Sequence, residues 1–170
     1  MSYTTIVHLW PGEKIEDGEE LHNGWGSGPV VWNAMAVKYL GAGDCAYNGH
    51  LDRLWPLWKH LGIPEHQRAV LMMTYDRAYV VKADYARAAR DIRAFNADFP
   101  TEGRANHWPR LAEIFEGDPD VPAIGLHCTS VSENPFQGAW NEESECYDPV
   151  DWNRCFSVYA EIDGLTQAKQ

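Results

Sequence analysis

The segment with the most recognisable chemical pattern is HNGWGSGPVVWNAMAVKYLG at 22–41, where three glycines at alternate positions precede a long apolar run. Free backbone N–H groups at a helix start bind anions, and glycines allow a phosphate to come close. A dinucleotide site, however, needs a strand before GxGxxG, and a P-loop needs a following lysine; neither is present. We therefore interpret Ser27 or Gly28 as a helix cap, with anion binding at Ser27 and Gly28 as the alternative.

A second candidate is a stripe of three arginines, Arg87, Arg90 and Arg93, on a predicted helix. Asp84 and Asp91 lie three and four residues from Arg87, so the spacing favours a surface whose charges are paired within the helix. The alternative is anion binding. In that hypothesis the stripe and the glycine-rich helix start together bind, or act on, a phosphorylated small molecule or a nucleotide.

The third candidate is a segment, 131–153, in which carboxylates alternate with large aromatic side chains. Its candidate partner-binding residues are Trp140, Glu142, Glu143, Glu145, Tyr147, Asp148, Asp151 and Trp152. The EF-hand pattern is absent, so the carboxylates do not predict a calcium site. Charges of one sign steer a complementary partner, and Trp and Tyr supply binding anchors. The pattern predicts a protein-docking surface, with a solvated loop whose rings fold back onto the body as the alternative.

No side chain is predicted to be catalytic, and no metal or cofactor is predicted. His127 and Cys128 are neighbours on a predicted strand, so they point to opposite faces and cannot act as base and nucleophile for each other. The histidines show no HExxH spacing. The cysteines, at positions 45, 128, 146 and 155, form no CxxC pair. We interpret them as buried free thiols in a cytosolic protein.

Charge restricts the class of partner. The chain has 170 residues and a net charge of −11, and residues 111–170 alone contain twelve acidic and two basic residues. Residues 51–110 are mildly basic, with ten bases and seven acids. An acidic chain of this kind is not typical of a nucleic-acid binder, because phosphate contacts need clustered Lys and Arg. Neither a signal peptide nor a membrane span is predicted, since no apolar run is long enough.

Hydrophobic periodicity predicts an α+β protein: a mixed, largely antiparallel sheet of about four strands with about four helices packed mainly on one face. We expect one domain over 1–170, with irregular segments at 11–28 and 131–153. The first helix has few polar residues and is expected to be buried nearly all round. The predicted strands are 4–10, 69–75, 122–130 and 154–162, and the predicted helices are 29–40, 51–61, 83–98 and 109–117.

Three hypotheses about function follow. The first is a small acidic interaction protein, an inhibitor or adaptor that docks on a basic protein or a nucleic-acid-binding complex through its C-terminal third. Phage inhibitors of host defence complexes that imitate nucleic-acid charge are one class of this kind. The second is the binder or enzyme for a phosphorylated ligand described above. The third is a self-assembling structural protein, that is, a homo-oligomer.

Overall fold

The computed structural model of the chain describes residues 2–43, 49–117, 119–128 and 133–168. Five strands form one sheet in the order β2-β1-β4-β3-β7. The pairs β1–β2, β1–β4 and β3–β4 are antiparallel, and β3–β7 is parallel. A separate two-stranded hairpin is formed by β5 and β6. The strands are β1 Tyr3–Trp10, β2 Lys14–His22, β3 Ala78–Val81, β4 Ala123–His127, β5 Gln137–Asn141, β6 Cys146–Pro149 and β7 Phe156–Ser157.

Six α-helices lie in the described part of the chain: α1 Gly28–Leu40, α2 Leu51–Leu54, α3 Glu65–Met73, α4 Tyr85–Asp98, α5 Trp108–Glu116 and α6 Val158–Gln167. All six contribute buried side chains to one large hydrophobic core. The sheet contributes Ile6, Val80, Ile124 and Leu126 to the same core. These alternate residues of β1, β3 and β4 therefore form the face of the sheet on which the helices pack. None of the helices described here has both the length and the apolar character needed to cross a bilayer.

The opposite face of the sheet has a smaller core of its own, made of Val7, Leu9, Ala123 and Phe136. Phe136 comes from the segment before β5 and lies over Gly125, in the middle of β4. A Cβ atom at Gly125 would stand 2.3 Å from Phe136 Cζ, so only glycine leaves room for the ring. The sheet is thus covered on both faces, by helices on one and by the chain around Phe136 on the other.

The predicted α+β class is confirmed, and several elements match their predicted positions. Strand 4–10 corresponds to β1, and strand 122–130 corresponds to β4, although Thr129 and Ser130 lie outside the described residues. Helices 29–40, 83–98 and 109–117 correspond to α1, α4 and α5. The predicted helix 51–61 is divided: α2 ends at Leu54, and Pro56 lies in a 3₁₀ turn over Trp55–Lys59, as expected where proline removes a hydrogen-bond donor.

Two predicted strands are wrong because most of their residues are helical. Residues 69–75 fall largely in α3, all of whose residues from Gln67 to Met73 are buried. A short apolar run that is buried all round has no periodicity that separates helix from strand. Residues 154–162 begin with the short β7 and then enter α6, whose buried residues Val158, Tyr159 and Ile162 follow helical spacing. The alternation in this segment was therefore coincidental.

The strand and helix numbers were underestimated, and the segments predicted to be irregular contain strands. Segment 11–28 includes β2, a charged edge strand that pairs with β1 across a bulge. Edge strands often have charged residues in place of a hydrophobic pattern, so β2 left no apolar signal. Segment 131–153 includes β5 and β6, although Val131 and Ser132 lie outside the described residues.

Candidate functional site

The acidic and aromatic segment forms a β-hairpin whose turn, residues 142–145, is organised by Asn141. Asn141 Oδ1 accepts hydrogen bonds from the backbone N–H groups of Glu143, at 2.9 Å, and Ser144, at 3.2 Å. Its side-chain amide also donates to Asp148 Oδ1, at 3.2 Å, across the hairpin. An asparagine that accepts from the next backbone N–H groups favours a turn. This turn directs three glutamates into solvent.

Two large aromatic side chains of the hairpin contact each other on its surface. Trp140 and Tyr147 are cross-strand partners, and their ring centroids lie 5.1 Å apart in an edge-to-face arrangement. Trp140 is 53% exposed and Tyr147 is 49% exposed. Edge-to-face aromatic pairs on directly opposed strand residues stabilise a hairpin. The pair therefore presents an apolar surface to solvent.

The carboxylates of the same hairpin are exposed. Glu142, Glu143 and Glu145 occupy the turn, and Asp148 follows on β6. In the part of the chain that the structure describes, none of the four lies in an ion pair. The hairpin thus combines exposed rings with negative charge that no ion pair compensates among the described residues, although strand alternation directs Asp148 to the face opposite the rings, where it accepts from Asn141. We refer to Trp140, Tyr147 and these four carboxylates as the acidic hairpin surface.

The last two residues of the predicted docking set have local structural roles. Asp151 Oδ1 accepts from the backbone N–H of Asn153, at 3.0 Å, and so caps the 3₁₀ turn Trp152–Arg154. Trp152 is half-buried, packs against the smaller core and contacts Tyr79 edge-to-face, with centroids 6.4 Å apart. Its ring thus lies on the sheet. This agrees, for Trp152, with the alternative interpretation, in which the aromatic rings of the loop fold back onto the body of the protein.

The glycine-rich segment before α1 forms a junction with the start of α5. The backbone N–H of His107 donates to the carbonyl of Gly26, at 2.8 Å, and His107 Nε2 donates to the carbonyl of Asn23, at 2.8 Å. Trp108 Nε1 donates to the carbonyl of Ser27, at 3.1 Å. A Cβ atom at Gly26 would stand 2.8 Å from the His107 ring, so the absence of a side chain permits this contact. The pattern that resembled a phosphate loop therefore serves close packing.

Ser27 occupies the N-cap position of α1, but its side chain makes no capping hydrogen bond. Its hydroxyl is fully buried and has no hydrogen-bond partner among the described residues. Gly28 is buried beneath the ring of Trp32, where a Cβ atom would stand 2.6 Å from the ring. These contacts give no support to an anion site at this helix start, which remains a prediction.

The arginines of the stripe form ion pairs mainly with acidic residues of other helices. The sequence had favoured pairing within the helix itself. Arg87 makes two hydrogen bonds to Asp163 of α6, at 2.7 and 3.0 Å, and one to Glu65 of α3 at 2.7 Å. Arg93 donates twice to Glu116 of α5, at 3.0 and 2.8 Å. The exposed Arg90 lies 3.3 Å from Asp91. The stripe thus connects α4 to three neighbouring helices.

Removing a carboxylate from the arginine stripe gives a pH-dependent prediction. The hydrogen bond from Arg87 lowers the pKa of Asp163 below its ordinary value of 3.8. Because this pKa is lowered, the stabilisation that the Arg87–Asp163 pair gives the folded protein is complete above about pH 5. It is lost as the pH falls through 3.8 towards the folded-state pKa of Asp163. We expect Asp163→Asn to reduce the free energy of unfolding by about 0.5–1 kcal/mol at pH 7, because the pair is half-exposed.

The measurement is urea unfolding at about pH 7 and about pH 3. The difference between the wild type and Asp163→Asn should shrink at the lower pH. Asp52→Asn is the control, because Asp52 is exposed and has no ion pair among the described residues; it should change stability less at neutral pH. An equal deficit for Asp163→Asn at both pH values would contradict the assignment.

A surface groove that the sequence interpretation missed lies beside α1 and has a volume of about 900 Å³. The helix was expected to be buried nearly all round, which is wrong: Val37 is 41% exposed and Lys38 is exposed. One feature of the sequence could have indicated this groove. The helix is apolar on more sides than one sheet can cover, so part of its apolar surface stays outside the core.

The thiols have different environments. Cys128 is buried in the main core, as predicted, and burial raises the pKa of its thiol to about 12. Cys155 is half-buried, whereas Cys146 is exposed on the hairpin, contrary to the prediction. Cys45 lies outside the described residues. Within the described ranges, no three His, Cys, Asp or Glu side chains converge as a metal site would require.

Comparison with known proteins adds no relative. Neither a protein-family model, nor a curated protein, nor a solved structure matches this chain. The proposals below therefore depend on residue chemistry and on the geometry of the described residues.

Proposed function

We propose that the protein is an interaction module, an inhibitor or an adaptor, that docks its acidic hairpin surface on a basic surface of a partner protein. The observation that carries the proposal is the Trp140–Tyr147 pair. These two rings contact each other, are about half exposed, and lie in the same hairpin as four carboxylates that make no ion pair among the described residues. A cationic surface would complement this arrangement in charge and would cover the exposed rings.

The physical roles of the rings and the carboxylates differ. Desolvating Trp140 and Tyr147 against a partner would supply most of the affinity, because buried aromatic anchors dominate interface energies. The flexible, exposed glutamates would contribute mainly to the association rate and to the choice of partner. The acidic final third of the chain adds a long-range field of the same sign. The preferred partner class is therefore a basic protein, including proteins that themselves bind nucleic acid.

The test uses the full chain with a photo-crosslinking residue in place of Ser144, at the hairpin turn, and expressed in its native cell. A second bait with the crosslinker at Leu61, which is exposed elsewhere on the protein, identifies nonspecific captures. A protein crosslinked only from position 144 is then purified and titrated against the chain. We expect a basic protein whose affinity falls about tenfold between about 50 and 300 mM salt.

Two triple variants separate the local surface from the total charge. Glu142, Glu143 and Glu145 are changed to lysine in one, and Glu13, Glu20 and Asp52, which are exposed elsewhere, are changed to lysine in the other. The two variants have the same net charge. We expect the hairpin variant to lose about a hundredfold in affinity and the control less than about threefold. Equal losses of affinity in the two variants would show that the total charge of the protein, and not the hairpin, determines binding. The proposed docking surface would then be wrong.

A further inference from the structure

The groove beside α1 has one largely apolar wall and one wall of mixed character. One wall is the uncovered side of the helix, where Val30, Ala34 and Val37 follow one another at helical spacing. The other wall is the end of α4 and the segment that follows it, where Phe99, Pro100 and Ala105 are apolar and Asp98, Glu102 and Arg104 are charged. Trp25 lies at one side of the groove and is 61% exposed, the largest exposed fraction among the large apolar side chains of the described residues.

These walls expose more apolar surface than folding alone requires. Of the five large apolar side chains that are prominently exposed in the described ranges, Trp25 and Val37 both line this groove. Isolated exposed apolar residues are ordinary, but a concave cluster of them marks a binding site. The volume of about 900 Å³ lies within the range of small-molecule sites, roughly 300–1,000 Å³.

A cation is positioned on the groove. Lys38 Nζ lies 5.0 Å from the centroid of the Phe99 ring and 5.3 Å from that of Tyr39. No ion pair holds this ammonium group among the residues that the structure describes. The nearby carboxylate of Asp98 accepts hydrogen bonds from His66, at 2.7 Å, and from Gln67. These hydrogen bonds lower the pKa of the Asp98 carboxyl, and the Lys38 ammonium also lowers it through space. Because no ion pair holds this ammonium at contact distance, it can still pair with an anionic group on a ligand.

We propose that this groove binds a small organic anion with a flat apolar body, of the aromatic carboxylate or sulfonate class. The flat body would lie between the α1 side chains and Phe99, with the indole of Trp25 covering one end. The anionic group would pair with the ammonium of Lys38. This site shares no residue with the acidic hairpin surface. Ligand binding in the groove is therefore independent of the proposed docking function.

The probe is anilinonaphthalene sulfonate, an aromatic anion whose fluorescence rises in apolar surroundings, and phenylnaphthylamine is its neutral counterpart. We expect saturable binding of one sulfonate probe per chain. Circular dichroism of the aromatic side chains and the melting temperature of each variant, measured in parallel, show that the signal comes from folded protein.

Two variants, each with a matched control, test the two parts of the proposal. Val37→Asp should weaken both probes by at least about tenfold, because it places a charge in the apolar wall. Leu61→Asp, at a site that is 40% exposed compared with 41% for Val37, should leave binding unchanged. Lys38→Gln should weaken the sulfonate probe about three- to tenfold and spare the neutral one. Lys59→Gln removes a lysine that also lies over an aromatic ring, Trp58, outside the groove, and should have no effect.

Three results would overturn the proposal. If the sulfonate probe showed no saturable binding to the wild type, the groove would not be a binding site for this class of ligand. Equal effects of Val37→Asp and Leu61→Asp would place the probe elsewhere on the protein. An equal loss of both probes in Lys38→Gln would exclude an anionic ligand class for this groove.

Discussion

Replacing Trp108 with alanine is expected to lower the free energy of unfolding by about 4 kcal/mol, a large part of the roughly 5–15 kcal/mol typical of a folded domain. Trp108 is fully buried at the first position of α5. Truncating it opens a cavity in the main core and leaves the Ser27 carbonyl without its indole donor. The same change weakens the junction between the glycine-rich segment and α5.

Urea unfolding monitored by circular dichroism measures the loss, and two variants separate its causes. Trp108→Phe retains an aromatic ring but removes the donor, and should cost about 1–2 kcal/mol. Trp25→Ala removes an exposed tryptophan and should change stability by no more than about 0.5 kcal/mol. If Trp108→Ala cost less than about 1 kcal/mol, the junction would not hold the two segments together.

Introducing a single methyl group at Gly125 is expected to cost about 2–4 kcal/mol. The added Cβ atom would stand 2.3 Å from Phe136 Cζ and 3.2 Å from Leu9 Cδ1. Because Phe136 is buried, its rigid ring has to leave its position on the sheet, and the smaller core loses its largest member. The hairpin begins one residue after Phe136, so its attachment to the sheet should loosen as well.

A double-mutant cycle tests this mechanism. In a Phe136→Ala background, Gly125→Ala should cost less than about 1 kcal/mol, because the ring that it displaces is already absent. Gly164→Ala is the matched control: its Cβ atom would meet open space within α6, so it should stabilise the protein by about 0.5–1 kcal/mol. Additive costs for Gly125→Ala and Phe136→Ala would contradict the contact.

The elements that were predicted correctly are those whose signals are local. Strand β1 and helices α1, α4 and α5 have consistent periodicity or a proline at the helix start. In contrast, the run AVLMM of α3 is apolar at every position, and only its burial among other helices decides its conformation. The edge strand β2 is charged, so no hydrophobic pattern in the sequence indicates that it pairs with β1.

The candidate surface was predictable in composition but not in shape. Residue types alone placed carboxylates and rings in one segment of the chain. The register that sets Trp140 opposite Tyr147, and the turn held by Asn141, were not anticipated for a segment expected to be irregular. Likewise, nothing local distinguished Trp152, which packs on the sheet, from Trp140, which faces solvent.

By itself, then, the sequence determined the α+β class, the positions of five elements (β1, β4, α1, α4 and α5) and the acidic, aromatic character of the C-terminal third, because these depend on local periodicity and on charge. Only the tertiary structure decided which glycines accommodate a ring, which arginines meet acids on other helices and which side of α1 stays uncovered. These features arise from contacts between residues far apart in the chain, and packing at close range selects them in a way that no local pattern records.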